Sequence, residues 1–143
     1  MKKYTTLLIV FVAIAGLMVA STADAQKKRM SDYKYNLEDK MASMMKDGWK
    51  CVVSMGDSNS GNGQDVELRL TMPIDEFMEF APIAALEAAA INHKFDVVYI
   101  FLREERTDRV ARVAFRDADP IAGRYLAGDK RAVREMKDAL IWH

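Results

Sequence analysis

The fold of this chain is decided by the stretch FDVVYIFL at residues 95–102. Its β-branched and aromatic side chains favour an extended strand. Side chains alternate between the two faces of a strand. The face that we expect to pack against the core carries Phe95, Val97, Tyr99 and Phe101. The opposite face is also apolar and carries Val98, Ile100 and Leu102. A strand that is apolar on both faces belongs in the middle of a sheet with both faces covered.

Alternating patterns on both sides of this strand predict two hairpins. Residues 49–72 form two alternating runs joined by a polar loop, and the second run directs Val66, Leu68 and Leu70 to one face. Residues 109–116 alternate after a charged turn at 103–108, which we expect to be solvated. The sequence therefore predicts that each hairpin contributes a pair of antiparallel strands.

Helical spacing and capping residues separate the hairpins. Helical segments are predicted at 31–47, at 75–80 and 82–93 around Pro82, and after Asp119 and Asp129. The order of elements is thus α-ββ-α-ββ-α. It predicts an α+β class with an antiparallel sheet of about four strands and about three helical segments.

The N-terminus has the three parts of a secretory signal peptide. Lys2 and Lys3 precede an uninterrupted apolar run at 7–20, and Ala23-Asp24-Ala25 supplies a small-x-small cleavage site. The apolar run is shorter than the ~20 residues that span a bilayer, which disfavours an uncleaved anchor. We therefore expect cleavage of residues 1–25, a single domain at 26–143 with no stable membrane span, and a periplasmic or secreted location.

The charge balance excludes one class of partner. The chain has 21 Lys+Arg and 21 Asp+Glu, and cleavage would remove Lys2, Lys3 and Asp24 to leave a net charge of −1. A nucleic-acid-binding domain would carry a basic excess. We therefore expect no nucleic acid among the partners.

No catalytic motif and no cofactor-binding fingerprint occurs in the sequence. H-E-x-x-H, C-x-x-C, G-x-G-x-x-G, the Walker pattern and a G-x-S-x-G elbow are all absent. We therefore predict no catalytic residues and no cofactor, and we favour a protein that is not an enzyme. A hydrolase site assembled from distant residues is left open by the sequence.

Two stretches offer weak candidate metal ligands. The hairpin loop supplies the oxygen donors Asp57, Asn59 and Asp65, and the first helix supplies the thioethers Met41, Met44 and Met45. Counted from Asp57, the sixth and twelfth positions of an EF-hand loop hold Asn62 and Leu68 instead of Gly and Glu. We therefore interpret the loop as a mobile hairpin tip and not as a calcium site. The three methionines are better explained as the apolar face of the first helix than as a metal site.

Cys51 is the only cysteine, so no intramolecular disulfide can form. It lies within an apolar alternation, which favours a buried thiol over an intermolecular bridge or a reactive nucleophile. The core must therefore stabilise the domain without covalent cross-links.

The second apolar face of the central strand is the strongest candidate site. If helices cover only one face of the sheet, this apolar stripe is exposed and charged side chains of the neighbouring strands surround it. The candidate partner-binding residues are Val98, Ile100, Leu102, Arg69, Arg112 and Arg116. We expect a non-enzymatic cell-envelope protein that binds another envelope protein or itself. The alternative is a periplasmic protein that binds a small ligand or a metal.

The segment 37–50, which ends in KDGWK, resembles the helix-DGW-strand start of small exported envelope proteins of Gram-negative bacteria. This resemblance implies an envelope location and identifies no functional residues. The alternating helix and hairpin layout is also similar to that of small chaperone-type domains that bind partner segments, a likeness of fold alone.

Overall fold

Both predicted hairpins are present in the computed structural model, which describes residues 29–91 and 96–143. The predicted signal peptide (1–25) and Phe95 lie outside the described residues. Tyr33–His143 form one compact unit, and of the preceding unit, Met1–Asp32, only the helical residues 29–32 are described. The elements are α1 (29–44), β1 (Lys50–Asp57), β2 (Gln64–Thr71), α2 (Ile74–Ile91), β3 (Val97–Glu104), β4 (Val110–Ala114), α3 (Phe115–Leu126), α4 (Ala132–Ala139) and β5 (Ile141–Trp142).

The strands form one five-stranded sheet in the order β1-β2-β3-β4-β5. The predicted α+β class is confirmed, but the wholly antiparallel sheet of four strands is wrong in two details. First, β2 and β3 pair in parallel, because the crossover through α2 returns the chain to the end of the sheet where β2 began. Second, β5 adds an antiparallel strand beside β4, and its two residues are too few to show an alternation.

The helix α2 is continuous, although the sequence predicted two pieces around Pro82. Proline removes one hydrogen bond from the helix ladder. Buried side chains on both sides of it, among them Phe77 and Leu86, hold the two halves against the same core and offset that loss. Likewise, α3 begins at Phe115 and contains Pro120, so the predicted helix start at Asp119 is wrong.

The core lies between the helices and one face of the sheet. Fully buried side chains of α1, including Tyr33, Leu37 and Met41, meet Val66, Leu68 and Leu70 of β2 in a single cluster. The predicted core face of β2 is therefore confirmed. α2 packs against β3, α3 and α4, and five of its ten buried residues are alanines, which allow its backbone to approach closely.

The strand β3 contains a register irregularity that the alternation pattern did not predict. Gln64 pairs with Val97, whereas the next residue of β2, Asp65, pairs with Tyr99. Val98 is therefore an extra residue in β3, which has the character of a β-bulge. An extra residue moves every later side chain of a strand to the opposite face.

This bulge reverses the predicted faces of β3. Ile100 and Leu102 have no exposed surface, whereas Tyr99 and Phe101 are only half-buried. The prediction that Tyr99 and Phe101 face the core is therefore wrong. It failed because the strand is apolar on both faces, so its sequence carries no signal for the phase of the alternation.

The turn between β3 and β4 is built around a buried carboxylate and is not wholly solvated as predicted. Glu104 is fully buried, and its Oε2 accepts hydrogen bonds from the Thr107 backbone N (2.7 Å) and Oγ1 (2.8 Å). Burial raises the pKa of Glu104, but hydrogen bonds from Thr107 and from the backbone of Arg106 and Met72 outweigh it, so the pKa lies below its usual value. The ionised carboxylate therefore stabilises the turn.

Candidate functional site

Within the part of the chain that the structure describes, no helix covers the second face of the sheet, which we call the open face. Its side chains alternate along each strand with those of the core. The open face includes Val52, Ser54, Asp65, Glu67, Arg69, Tyr99, Phe101, Arg103, Val110, Arg112, Ala114 and Ile141. Val52 (58% exposed) and Ile141 (52%) stand at its two edges.

An aromatic pair occupies the centre of the open face. The ring centroids of Tyr99 and Phe101 lie 6.1 Å apart with their planes tilted by 48°. The Arg112 guanidinium carbon lies 5.8 Å from the Tyr99 ring centroid, within the range of a cation–π interaction. Arg112 is also the cross-strand neighbour of Phe101. Aromatic and arginine side chains are the types enriched at protein interfaces.

The carboxylate of Glu67 pairs with two of the three arginines on the open face. Glu67 accepts a hydrogen bond from Arg69, and its Oε2 lies 3.6 Å from Arg103 Nε. Arg103 also donates to Asp108. Among the described residues, Arg112 has no such carboxylate partner, and its buried Nε makes no hydrogen bond. The buried Nε of Arg103 also lacks a hydrogen bond, but Arg103 has two ion pairs and Arg112 has none among the described residues. A carboxylate on a bound molecule would therefore find its free arginine partner in Arg112.

The three apolar residues predicted to form an exposed stripe do not form one. Ile100 and Leu102 have no exposed surface, so their predicted exposure on a contact face is wrong. The bulge in β3 turns both side chains toward the helices. Val98, the bulged residue, is half-buried beside Asn62 and Asp96, near the start of β3.

The three arginines predicted with that stripe fall into two places. Arg69 and Arg112 lie on the open face, in β2 and β4. Arg116 lies in the first turn of α3, where it is exposed and its Nε is 3.9 Å from Asp117 Oδ1. The structure therefore brings together two of the six predicted partner-binding residues with the aromatic pair.

Tyr99 and Phe101 are the site residues that the sequence reasoning missed. One feature of the sequence could have identified them. In an alternating strand, Arg103 lies on the same face as Tyr99 and Phe101. Because arginine is rarely fully buried, it marks that face as the exposed one. Glu104 gives the opposite indication, because it is also charged and lies on the same face as Leu102. The hydrogen bonds from Thr107 and from the backbone of Arg106 and Met72, which the sequence does not reveal, explain how Glu104 tolerates the core side.

The weak metal candidates are not gathered into a site. Met41 is fully buried, and Met44 and Met45 are half-buried against the core. The oxygen donors are split between an exposed pair, Asp57 and Asn59, and the half-buried Asp65 of the open face. In the described ranges, no group of three or more His, Cys, Asp or Glu side chains could hold a metal ion.

An open surface groove of about 450 Å³ lies between helices, with Lys40, Glu87 and Leu126 in its lining. Glu87, one of its charged groups, already has partners, since it accepts a hydrogen bond from Tyr125 (2.8 Å) and lies 3.9 Å from Lys40 Nζ. Burial, followed by the hydrogen bond and charge of Glu87, raises the pKa of Tyr125 to about 12. Tyr125 therefore stays protonated at neutral pH and serves as a donor to Glu87.

Cys51 is half-buried on β1. Burial and the charge of Glu38 raise the pKa of its thiol to about 12. The thiolate is the nucleophilic form of cysteine, so this side chain is a poor nucleophile at neutral pH.

None of the family models, curated proteins and solved structures compared with this chain matches it. Of the helices that the structure describes, none has both the length and the apolar character needed to cross a membrane. The candidate site therefore rests on the geometry of the open face, with Tyr99, Phe101 and Arg112 at its centre.

Proposed function

We propose that this protein is an exported, non-enzymatic cell-envelope protein that binds another protein through the open face. The observation that supports the proposal most directly is the group of Tyr99, Phe101 and Arg112 on a face that no described helix covers. Aromatic side chains supply a large contact area at a low cost in conformational entropy. The signal-peptide pattern at residues 1–25 supports the envelope location.

The charges of the open face indicate the chemistry of the partner. Glu67 already pairs with Arg69 and Arg103, which leaves Arg112 as the arginine that can receive a carboxylate. A carboxylate that reached Arg112 would lie beside the two aromatic rings. The partner that fits is therefore a protein surface with an Asp or Glu next to apolar side chains.

The proposal is tested by comparing two double variants in a retention assay. Tyr99→Ala/Phe101→Ala removes the aromatic pair, and Tyr35→Ala/Leu126→Ala removes two helix side chains that are 69% and 60% exposed. Each protein is immobilised and incubated with the envelope proteins of its source cells. We expect one protein to be retained by the wild type and by the helix-surface variant and lost with the open-face variant. Equal retention by all three would argue against the proposal.

Arg112 gives a second arm of the same assay. Arg112→Glu should abolish retention, because it opposes a partner carboxylate with a like charge. Arg112→Lys keeps the positive charge and should retain part of the binding. If the two variants behaved alike, the proposed role of a carboxylate in the partner would be wrong.

A further inference from the structure

We propose that the open face holds a lysine side chain of its protein partner in a pocket beside Phe101, where Asp65 binds the ammonium group. The inference rests on the proposed function and deepens it, because it adds a basic side chain to a partner surface that carries an Asp or Glu. The pocket has a volume of about 320 Å³ and is lined by residues of β1, β2 and β3.

The register of the sheet leaves space beside Asp65. Its neighbour on β3 is Tyr99, and its neighbour on β1 is Gly56, which has no side chain. A Cβ added at Gly56 would meet open space, and both Gly56 and Asp65 line the pocket. A group of the partner can therefore approach the Asp65 carboxylate over the backbone of Gly56.

Asp65 is the carboxylate of the open face that lacks a partner. Glu67, the other one, pairs with Arg69 and Arg103. Among the described residues, Asp65 forms no ion pair, and its buried Oδ1 accepts no hydrogen bond. A partly buried carboxylate without a donor is costly, so a charged donor on a bound molecule would stabilise it.

The charges of the pocket favour a cation over an anion. Arg69 and Arg103 line the pocket, but Glu67 already pairs with both of them. The other charged residues of the lining are Asp57 and Asp65. Three carboxylates and two guanidinium groups leave the lining with a net charge of −1.

A lysine side chain matches the groups that line the pocket. Its ammonium group is a compact charge with three donors at the end of a flexible apolar stem. Asp65 is one acceptor, and the Ser54 hydroxyl, which forms no hydrogen bond with the described residues, is a second. Phe101 lines the same pocket and offers apolar surface to the stem.

Asp65 and Arg112 together give the open face a direction. They lie on β2 and β4, and β3 with its aromatic pair runs between them. Two strand spacings amount to about 10 Å. The partner that fits both residues therefore presents a lysine and an Asp or Glu on opposite sides of its apolar side chains. A partner bound in the reverse orientation would bring like charges together.

The pocket is tested by NMR titration with Nα-acetyl-lysine methylamide. The matched compound is the norleucine analogue, which lacks the ammonium group. We expect the lysine compound to shift the amide signals of residues 54–57 and 65 in a saturable manner and the norleucine compound to leave them unchanged. Asp65→Asn should weaken the binding by about tenfold or more, because it removes the charge of the acceptor.

Three results of the titration would overturn the proposal. They are the absence of a saturable shift with the lysine compound, equal binding of the two compounds, and binding that Asp65→Asn leaves unchanged. The titration needs no partner protein. Its failure is therefore distinguishable from a failure of the retention assay, which tests the proposed function.

A steric variant tests the place of the ammonium group. Gly56→Leu should fill the space beside Asp65 and abolish binding of the lysine compound, although its Cβ meets no other atom. Gly123→Leu makes the same change at an exposed glycine of α3, where a Cβ also meets open space, and should keep the binding. Thermal unfolding shows that each variant is folded. Equal binding by the two variants would overturn the proposed place.

Carbodiimide coupling in the retention assay examines the lysine of the partner itself. The reagent activates a carboxylate, which a neighbouring lysine amine then converts to an amide. We expect mass spectrometry to find a peptide of the retained protein joined through its lysine to Asp65, and Asp65→Asn to remove this product. A retained protein that couples only at other residues would overturn the lysine contact and leave the proposed function standing.

Discussion

Phe101 lies directly opposite Arg112 on the antiparallel strands β3 and β4. This pair stands on the open face only because Val98 is an extra residue in β3. Without that residue, the alternation would turn Phe101 toward the core and Ile100 toward solvent. One inserted residue therefore decides whether the sheet exposes an aliphatic stripe or an aromatic and arginine surface.

The hydrogen bond between α1 and α2 should make a measurable contribution to stability. The hydroxyl of the fully buried Tyr33 donates to the Ala88 carbonyl at 3.0 Å, and burial raises the pKa of Tyr33 well above its usual value, so the donor stays protonated. We expect Tyr33→Phe to lower the free energy of unfolding by about 1 kcal/mol in urea denaturation. Tyr35→Phe, at a 69% exposed position, should change little. Equal losses in the two variants would show that this hydrogen bond is not the cause.

The buried carboxylate of Glu104 should make stability depend on pH. Its folded-state pKa is below the unfolded value, so its contribution is present above about pH 4.3 and is lost as the pH falls through the folded pKa. We expect Glu104→Gln to cost about 2 kcal/mol at neutral pH, because Thr107 loses a charged acceptor. The difference in the free energy of unfolding between wild type and variant should become smaller at acidic pH, as measured by denaturation at several pH values. The control is Glu105→Gln, which makes the same change at an exposed neighbouring residue. If the difference in unfolding free energy between wild type and Glu104→Gln did not depend on pH, the stabilising role of the ionised Glu104 would be refuted.

The close approach of the β2 start to the chain before β3 should require glycine. Gly63 has a φ of 91°, and a Cβ there would lie 2.3 Å from the Asp96 carbonyl oxygen. Gly61 has a similar φ of 81°, but a Cβ there would meet open space. Gly61→Ala and Gly63→Ala should each lower the free energy of unfolding by about 1 kcal/mol through left-handed backbone strain. Gly63→Ala should lower it by about 3 kcal/mol or more in total, because the backbone at Asp96 must also move. Similar unfolding free energies for the two variants would contradict the clash.

Amphipathic segments were predictable from the sequence, and segments apolar on both sides were not. The alternation in β2 identified Val66, Leu68 and Leu70 as core residues, since charged neighbours mark the other face. In β3 both faces are apolar, so the phase depends on the bulge at Val98, which is set by pairing with β2. The parallel pairing of β2 with β3 likewise depends on a crossover that local patterns do not encode.

The candidate site was predictable only in its charged part. Arg69 and Arg112 alternate with core residues in amphipathic strands, and the sequence placed both on the correct face. The aromatic centre was missed together with the phase of β3. Pro82 shows the same limit for helices, because tertiary packing keeps α2 continuous where the local rule predicts a break.

Site-specific photo-crosslinking tests protein binding by the open face most directly. A benzophenone amino acid replaces Phe101 in one protein and the exposed helix residue Tyr35 in another, and each protein is irradiated in intact source cells. We expect position 101 to give a covalent adduct with another protein that position 35 does not give and that Arg112→Glu removes. No adduct from position 101, or the same adduct from both positions, would contradict the assignment of the open face as a protein-binding surface.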